Sequence, residues 1–349
     1  LEYLADFILF LAKTVTLIGG VAILVALVTA IGQKAKKMHK GHLEITRLNE
    51  HYEHLQNDLK HALFDKEQLK KEAKEEKEKA KLEKKAKKNK EADEAIKPRV
   101  FVLDFHGDIK ASAVKSLREE ITAVLSLADK ERDEVVVRLE SGGGMVHSYG
   151  LAASQLKRIR DKGIKLTVTV DKVAASGGYM MACVANHIVA APFAVLGSIG
   201  VMAQLPNVHR LLKKHDVDIE LHTAGEYKRT LTMLGENTEK GRKKFIQDME
   251  DTHELFKDFV KAEREVVEID QVSTGEIWYG QKALSLNLID EISTSDEYIY
   301  QKVDEADLVQ IEYVMKKGVA DKLGLAAESA LDNTLMKWWG RFNTSRFFS

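Results

Sequence analysis

The residues able to do chemistry gather at three glycine-rich corners. Ser176 stands between Ala174-Ala175 and Gly177-Gly178, after a β-branched run and before the apolar, helix-forming "YMMACVA". Glu140–Gly150, "ESGGGMVHSYG", makes a second corner, and Leu196–Val201, "LGSIGV", a third. Glycines at such places let backbone N–H groups come close to a ligand. Two of these loops side by side would give an oxyanion two donors, one from the 142–144 glycines and one from Gly177. Each such donor is worth roughly 10²–10³ in rate. Three ordinary glycine turns are the plain alternative.

A serine hydroxyl attacks only with a base beside it. The G-x-S-x-G elbow is absent, since Ala174 stands two before Ser176 and Gly178 two after. His147 and His187 are the nearest histidines by sequence, and both read as loop or surface residues. Lysine is the other partner such a serine takes, but only where apolar surroundings strip the ammonium of its charge, against an ordinary pKa of ~10.4. Lys228 lies in "HTAGEYKRTLTMLG" (His222–Gly235), between Tyr227 and a Thr/Leu/Met run. Its rival Lys172 follows Asp171, which favours the charged form. The residues prefer Lys228 without removing Lys172. The single cysteine, Cys183, excludes an internal disulfide, offers no zinc-type cluster, and reads as a small buried hydrophobe. No metal and no cofactor is expected. The formal net charge of −1 gives no general signal for nucleic acid.

Alternating strands and helices must position these corners. From Arg99 onward "RVFVLDF", "DEVVVRLES", "IKLTVTVDK" and "HIVAAP" read as strands. "SAVKSLREEITAVLSLA", "GLAASQLKRIRDK" and the run opening at Ser176 read as the helices between them. That order predicts right-handed βαβ units and a parallel sheet, with its sites at the C-terminal ends of the strands. "TEKGRKKFIQDMEDTHELFKDFVKAERE" is a long helix, and a shorter mixed segment follows it.

The remainder of the 349 residues is of another kind. Thr14–Gly32 holds no charge, and extended back to Phe7 the stretch carries only Lys13. This is long enough to span a bilayer, which takes ~20 apolar residues. Glu2 and Asp6 precede it and "QKAKKMHK" follows. That charge order favours a retained anchor over a cleaved leader and places the C-terminal bulk in the cytoplasm. Leu48, Leu55, Ala62 and Leu69 recur every seven residues as a short coiled-coil seam. A Lys/Glu/Ala-rich stretch then carries pairs such as Glu67–Lys71, Glu75–Lys79 and Glu83–Lys87, each worth ~0.3–0.5 kcal/mol in a helix. Pro98 ends it. The expected organisation is a transmembrane anchor over 1–33, a helical coiled-coil and charged stalk over 34–97, an α/β domain over 98–315 and a helical tail over 316–349.

"ASGGY", the preceding glycine loop, "GSIGV" and the G-x-Y-K lysine occur in an order that resembles the signal peptide peptidase A family of serine peptidases. The likeness continues through "LGENTEKGR" and "GEIWYGQKALSLNLIDEI". It covers essentially the whole chain, most specifically Arg99 to Ile292. The resemblance implies a Clp/crotonase-like parallel-sheet fold and a Ser–Lys dyad. In that dyad Ser176 is the nucleophile and Lys228 the general base, with Gly144 and Gly177 as the oxyanion donors. It also implies a ring of like chains at a bacterial inner membrane, in which serine and lysine can come from one protomer or from neighbouring ones. One departure is visible: the family's S-P-G-G has Gly142 in place of proline here. Loss of that φ restraint should loosen the loop.

The expected reaction is hydrolysis of apolar, unfolded or signal-peptide-like polypeptide. The substrate would lie as an added strand along the loops at Gly143, Met145, Ser198 and Gly200. The partners expected are thus the polypeptide, the bilayer through residues 7–32 and further copies of the chain, with no nucleic acid. Two other readings remain at this point: a crotonase-type enzyme acting on acyl-CoA thioesters, and an inactive membrane scaffold.

Overall fold

A computed structural model of the chain describes residues 41–71, 74, 78 and 97–315. Residues 45–312 form one compact unit, while 41–44 and 313–315, the outer ends of two strands, belong to a second. The anchor expected at 7–32, most of the charged stalk and the tail over 316–349 lie outside the described residues. Among the described residues no helix is long and apolar enough to cross a membrane.

The centre of the unit is a parallel sheet. Arg99–Gly107 (β2), Glu134–Ser141 (β3), Lys165–Val170 (β4) and His187–Ala190 (β6) are runs rich in Val, Ile, Leu and Phe. They are buried on both faces, as strands covered by helices on either side must be. With Glu291–Ile292 (β9) and Asp307–Val314 (β10) the order is β10-β2-β3-β4-β6-β9, every pair parallel. Side chains alternate between the faces. Phe101, Leu103, Phe105, Val135, Val137 and Leu139 meet one helical layer, while Val100, Val102 and Val136 meet another.

The first layer holds Val114–Leu127 (α2), Val146–Asp161 (α3), Gly177–Ala182 (α4) and the end of the long helix Glu239–Glu263 (α6). They contribute Leu117, Ile121, Leu156, Ile159, Met181, Phe256 and Val260 to a continuous core. The second layer is smaller. It uses Leu48 from Leu48–Leu63 (α1) and Tyr298 and Ile299 from Ser295–Tyr300 (α9).

One feature of the expected stalk comes out differently. His42–Arg47, inside the stretch read as helical, is a strand (β1), in keeping with the β-branched Ile45 and Thr46. Of the seam positions, Leu48 is buried against the sheet and Leu55 is exposed in the single chain. Asn49 fixes the start of α1, because its amide donates to the Val303 and Ala306 carbonyls and its Oδ1 accepts from the Leu308 amide at 2.7 Å.

Three short strands complete the frame around the serine. Val173–Ala175 (β5) continues beyond the end of β4 and pairs with Ser141 of β3 on one side. On the other side it pairs with Val195–Gly197 (β7). Ile277–Tyr279 (β8) runs antiparallel to β7. Residues 201–238 contain one short helix, His209–Lys214 (α5), and are otherwise irregular. Many of their apolar side chains are exposed among the described residues: Met202 is 87% exposed and Leu211 58%.

Candidate active site

Ser176 sits at the end of β5, immediately before α4, with φ 52° and ψ −120°. A non-glycine residue there is strained by ~1–3 kcal/mol and persists only where its surroundings over-determine it. They do so here. The Ser176 amide donates to the Gly197 carbonyl at 2.8 Å, and its carbonyl accepts from the Met180 amide at 3.0 Å. Behind it Gly177 and Gly178 are buried, and α4 is buried along its whole length. A Cβ on Gly177 would collide with the Tyr149 ring, and one on Gly178 with the Ser141 carbonyl. These two positions require glycine because backbone and ring approach so closely. Ser176 itself is half-buried.

The glycine loop after β3 lies against this corner. Gly143 has φ +85°, and a Cβ there would fall 2.6 Å from the Gly177 nitrogen and 2.8 Å from Ser176 Cβ. The structure therefore brings Ser176, Gly177 and the 142–145 loop together. The Gly143 amide is already engaged, donating to Ser141 Oγ at 3.1 Å. The Met145 amide donates to the Ile109 carbonyl at 2.8 Å. Gly144 lies between two tied positions, which limits the looseness expected from Gly142. Gly142 is exposed with open space around it.

One proton order satisfies the bonds beneath the loop. The Tyr149 hydroxyl donates to the Asp108 carbonyl at 2.8 Å, since a carbonyl only accepts. The 2.6 Å bond between the Ser141 and Tyr149 hydroxyls must then carry the Ser141 proton. The chain runs Gly143 N–H to Ser141 Oγ, Ser141 O–H to Tyr149 Oη, and Tyr149 O–H to Asp108 O. The Asp108 carboxylate accepts from the Ser112 amide at 2.8 Å, and that backbone bond, first among several, holds its carboxyl below the usual range.

The third corner closes the other side. Ser198 has φ 51°, is half-buried, and donates its amide to the Glu276 carbonyl at 2.7 Å. Gly197 packs on Trp278 and Gly200 on Gly275.

The four candidate bases lie apart from one another. Lys172 is 72% exposed and paired with Glu140 at 3.0 Å, away from any apolar enclosure. His147 is exposed. His187 begins β6, at the sheet edge opposite the one from which Ser176 projects, and pairs with Glu291 at 3.0 Å. Lys228 lies in the irregular 201–238 segment, exposed, its amide donating to the Gly225 carbonyl at 3.2 Å. The Thr/Leu/Met run beside it does not enclose it within one chain. Cys183 is fully buried, and burial pushes its thiol far above the ordinary range, so it packs and does not attack. Sequence reasoning missed Ser141, Tyr149 and the Asp108–Ile109 turn. Tyr149, on an apolar helix face, carries no signal beyond that of a core aromatic.

Comparison with known proteins places the chain. Residues 2–156 match the family described as Peptidase family S49 N-terminal, and residues 158–309 match Peptidase family S49. A protein named Probable protease SohB from Haemophilus influenzae is 52% identical over 342 residues, covering 97% of this chain and 96% of that one. A second of that name, from Buchnera aphidicola subsp. Acyrthosiphon pisum, is 48% identical over 338 residues, covering 97% and 98%. Among solved structures, a mutant of the 1510-N membrane-bound stomatin-specific protease with a substrate peptide aligns over 65% of this chain and 96% of its own. It does so at 14% identity and a TM-score of 0.41, too slight a likeness to argue from.

Proposed function

The chain belongs to peptidase family S49, among SohB-type members, and on that premise we propose that it is a serine endopeptidase with Ser176 as nucleophile and Lys228 of a neighbouring copy as base. The observation that carries this is the strained Ser176 backbone, held at φ 52° between a glycine loop and the start of a buried helix. Strain of this kind gathers at sites where a side chain must be presented to a reactant.

In the proposed reaction the Lys228 amine takes the Ser176 proton as Oγ bonds to the peptide carbonyl carbon. The carbonyl electron pair moves onto oxygen, where the amides of Gly144 and Gly177 receive it. The tetrahedral species collapses, the C–N bond breaks, and the leaving amine takes the proton held on Lys228. Water, giving a proton to the now neutral Lys228 amine, then attacks the acyl ester; the ester C–O bond breaks, and Lys228 returns that proton to Ser176 Oγ as the new carboxylate leaves. The substrate lies extended between the two loops, past Gly143 and Met145 on one side and Ser198 and Gly200 on the other.

Supply of the lysine by a second copy is supported by its place on the chain. A lysine in bulk water stays protonated and accepts nothing. Lys228 is exposed in a segment whose apolar side chains are exposed with it, and a neighbouring protomer would cover both. A Clp/crotonase-like fold, an anchor at residues 7–32 in the inner membrane and a cytoplasm-facing domain complete the proposal. Such an anchor suits apolar, unfolded segments as substrates.

Complementation tests the shared site. Ser176→Ala and Lys228→Ala are each expected to abolish cleavage of unfolded casein. Co-assembled in one particle they should regain activity, because some interfaces then hold an intact serine beside an intact lysine. Two inactive variants that stay inactive when co-assembled would refute the trans arrangement. Turnover by Ser176→Ala alone would refute the nucleophile.

A further inference from the structure

We propose that Tyr149 is the positioning residue that ties the two oxyanion donors to each other, its ring setting Gly177 and its hydroxyl setting the 143–145 loop through Ser141. This rests on the reading of Ser176 as nucleophile and gives a role to a side chain outside the proposed Ser–Lys dyad and its two oxyanion donors.

Tyr149 is fully buried near the start of α3. Its ring lies flush against Gly177, at a distance that leaves no room for a Cβ on that residue. Its hydroxyl is the middle of the chain from the Gly143 amide to the Asp108 carbonyl. Ser141 is 2% exposed, and every donor in the chain is satisfied by one proton order. One rigid side chain thus touches both halves of the anion cradle: the amide after the nucleophile directly, and the glycine loop through one hydroxyl. A buried tyrosine needs some partner for its hydroxyl in any case. Here both partners lead to the site. One is the residue that fixes Gly143, and the other is the carbonyl of Asp108, next to the Ile109 carbonyl that fixes Met145.

This arrangement also holds the loop where this chain has Gly142 in place of the proline of the S-P-G-G pattern implied by the family resemblance. The proline would restrain φ at the entrance to the loop. The Ser141–Tyr149 bond restrains the next residue, Gly143, from below.

The test uses the assembled, full-length protein. Tyr149→Phe keeps the ring against Gly177 and removes only the hydroxyl. Ser141→Ala removes the middle of the chain by another route. Both are compared with wild type on a peptide ester and its thionoester, whose larger sulfur fits an oxyanion cradle poorly. Each variant is expected to lose about tenfold in kcat at unchanged KM, less than the loss of a donor itself. The oxo/thiono rate ratio should fall with it, and the double variant should be no slower than either single one, because the hydroxyls act as a unit.

A general loss of stability would not move the oxo/thiono ratio. Values of kcat and of that ratio within twofold of wild type in both variants would overturn the proposal, as would a loss confined to KM. Failure of the underlying reading is seen separately: wild-type protein that hydrolyses neither ester removes the nucleophile assignment whatever Tyr149 does.

Discussion

Gly143→Ala is the sharpest steric test of the site, and Gly142→Ala is its matched control. At Gly143 the new Cβ would lie 2.6 Å from the Gly177 nitrogen, 2.8 Å from the Ala175 carbonyl oxygen and 2.8 Å from Ser176 Cβ. Ordinary contact needs ~3.5–4.0 Å, so one side must move by about 1 Å. Two of the three neighbours are backbone atoms and the third is Ser176 Cβ, so no flexible side-chain end can give way. The φ of +85° adds ~1–2 kcal/mol of strain for any residue with a Cβ.

A misplacement of ~1 Å at a reacting centre costs ~10²-fold, or about 2.7 kcal/mol of transition-state stabilisation. At Gly142 nothing lies within 4 Å and φ is not left-handed. Gly142→Ala should therefore keep kcat/KM within twofold and raise stability by ~0.4–1 kcal/mol through the unfolded state. Initial rates on a fluorogenic peptide, with melting curves for both proteins, read out the pair. Equal losses in the two variants, or wild-type rates in Gly143→Ala, would refute the placement of the loop against Ser176.

Three further outcomes follow from the same coordinates. Cys183 should resist thiol reagents at pH 8 in the native protein and react once urea is added, because burial holds it protonated and covered; rapid native labelling would contradict its place in the core. Asp133, Glu134 and Asp290 pay for burial but are held below their ordinary values of 3.8, 4.5 and 3.8 by Arg99, by Thr167 and Tyr298, and by Arg264, respectively. A depressed folded-state pKa gives stability that is complete above the unfolded value and is lost as pH falls through the folded one. The melting temperature should hold between pH 7 and about 5 and drop below about pH 4; a flat profile to pH 3 would remove that linkage. Asp290→Asn should destabilise the protein by ~3–5 kcal/mol in chemical melts, because Arg264 is 6% exposed and would keep a buried charge without its 2.8 Å partner.

Parts of this architecture were plain in the sequence for physical reasons. The strands β2, β3 and β4 are continuous apolar runs, and α2 and α6 carry long helical periodicity, so both kinds of element announce themselves. The three-residue strands β5, β7 and β8 are too short to show any period, yet β5 delivers Ser176 and β7 supplies the carbonyl that holds its amide. The start of α3 was set too late, at Gly150, because His147, Ser148 and Gly150 hide the apolar face that begins at Val146. The Tyr149–Asp108 bond joins residues 41 positions apart and exists only once β2 and β3 are side by side. Lys228 was legible as a candidate by its neighbours. Its environment was not, because the 201–238 segment has no core of its own to pack against.

In the proposed reaction Ser176 attacks and Lys228 enables the attack. Mass spectrometry of the assembled protein after brief exposure to a peptidyl phosphonate tests this most directly. A single adduct on Ser176 is expected in wild type, with loss of that adduct in Lys228→Ala although the serine is still present. An adduct on another residue, or labelling of Ser176 at the wild-type rate without Lys228, would contradict it.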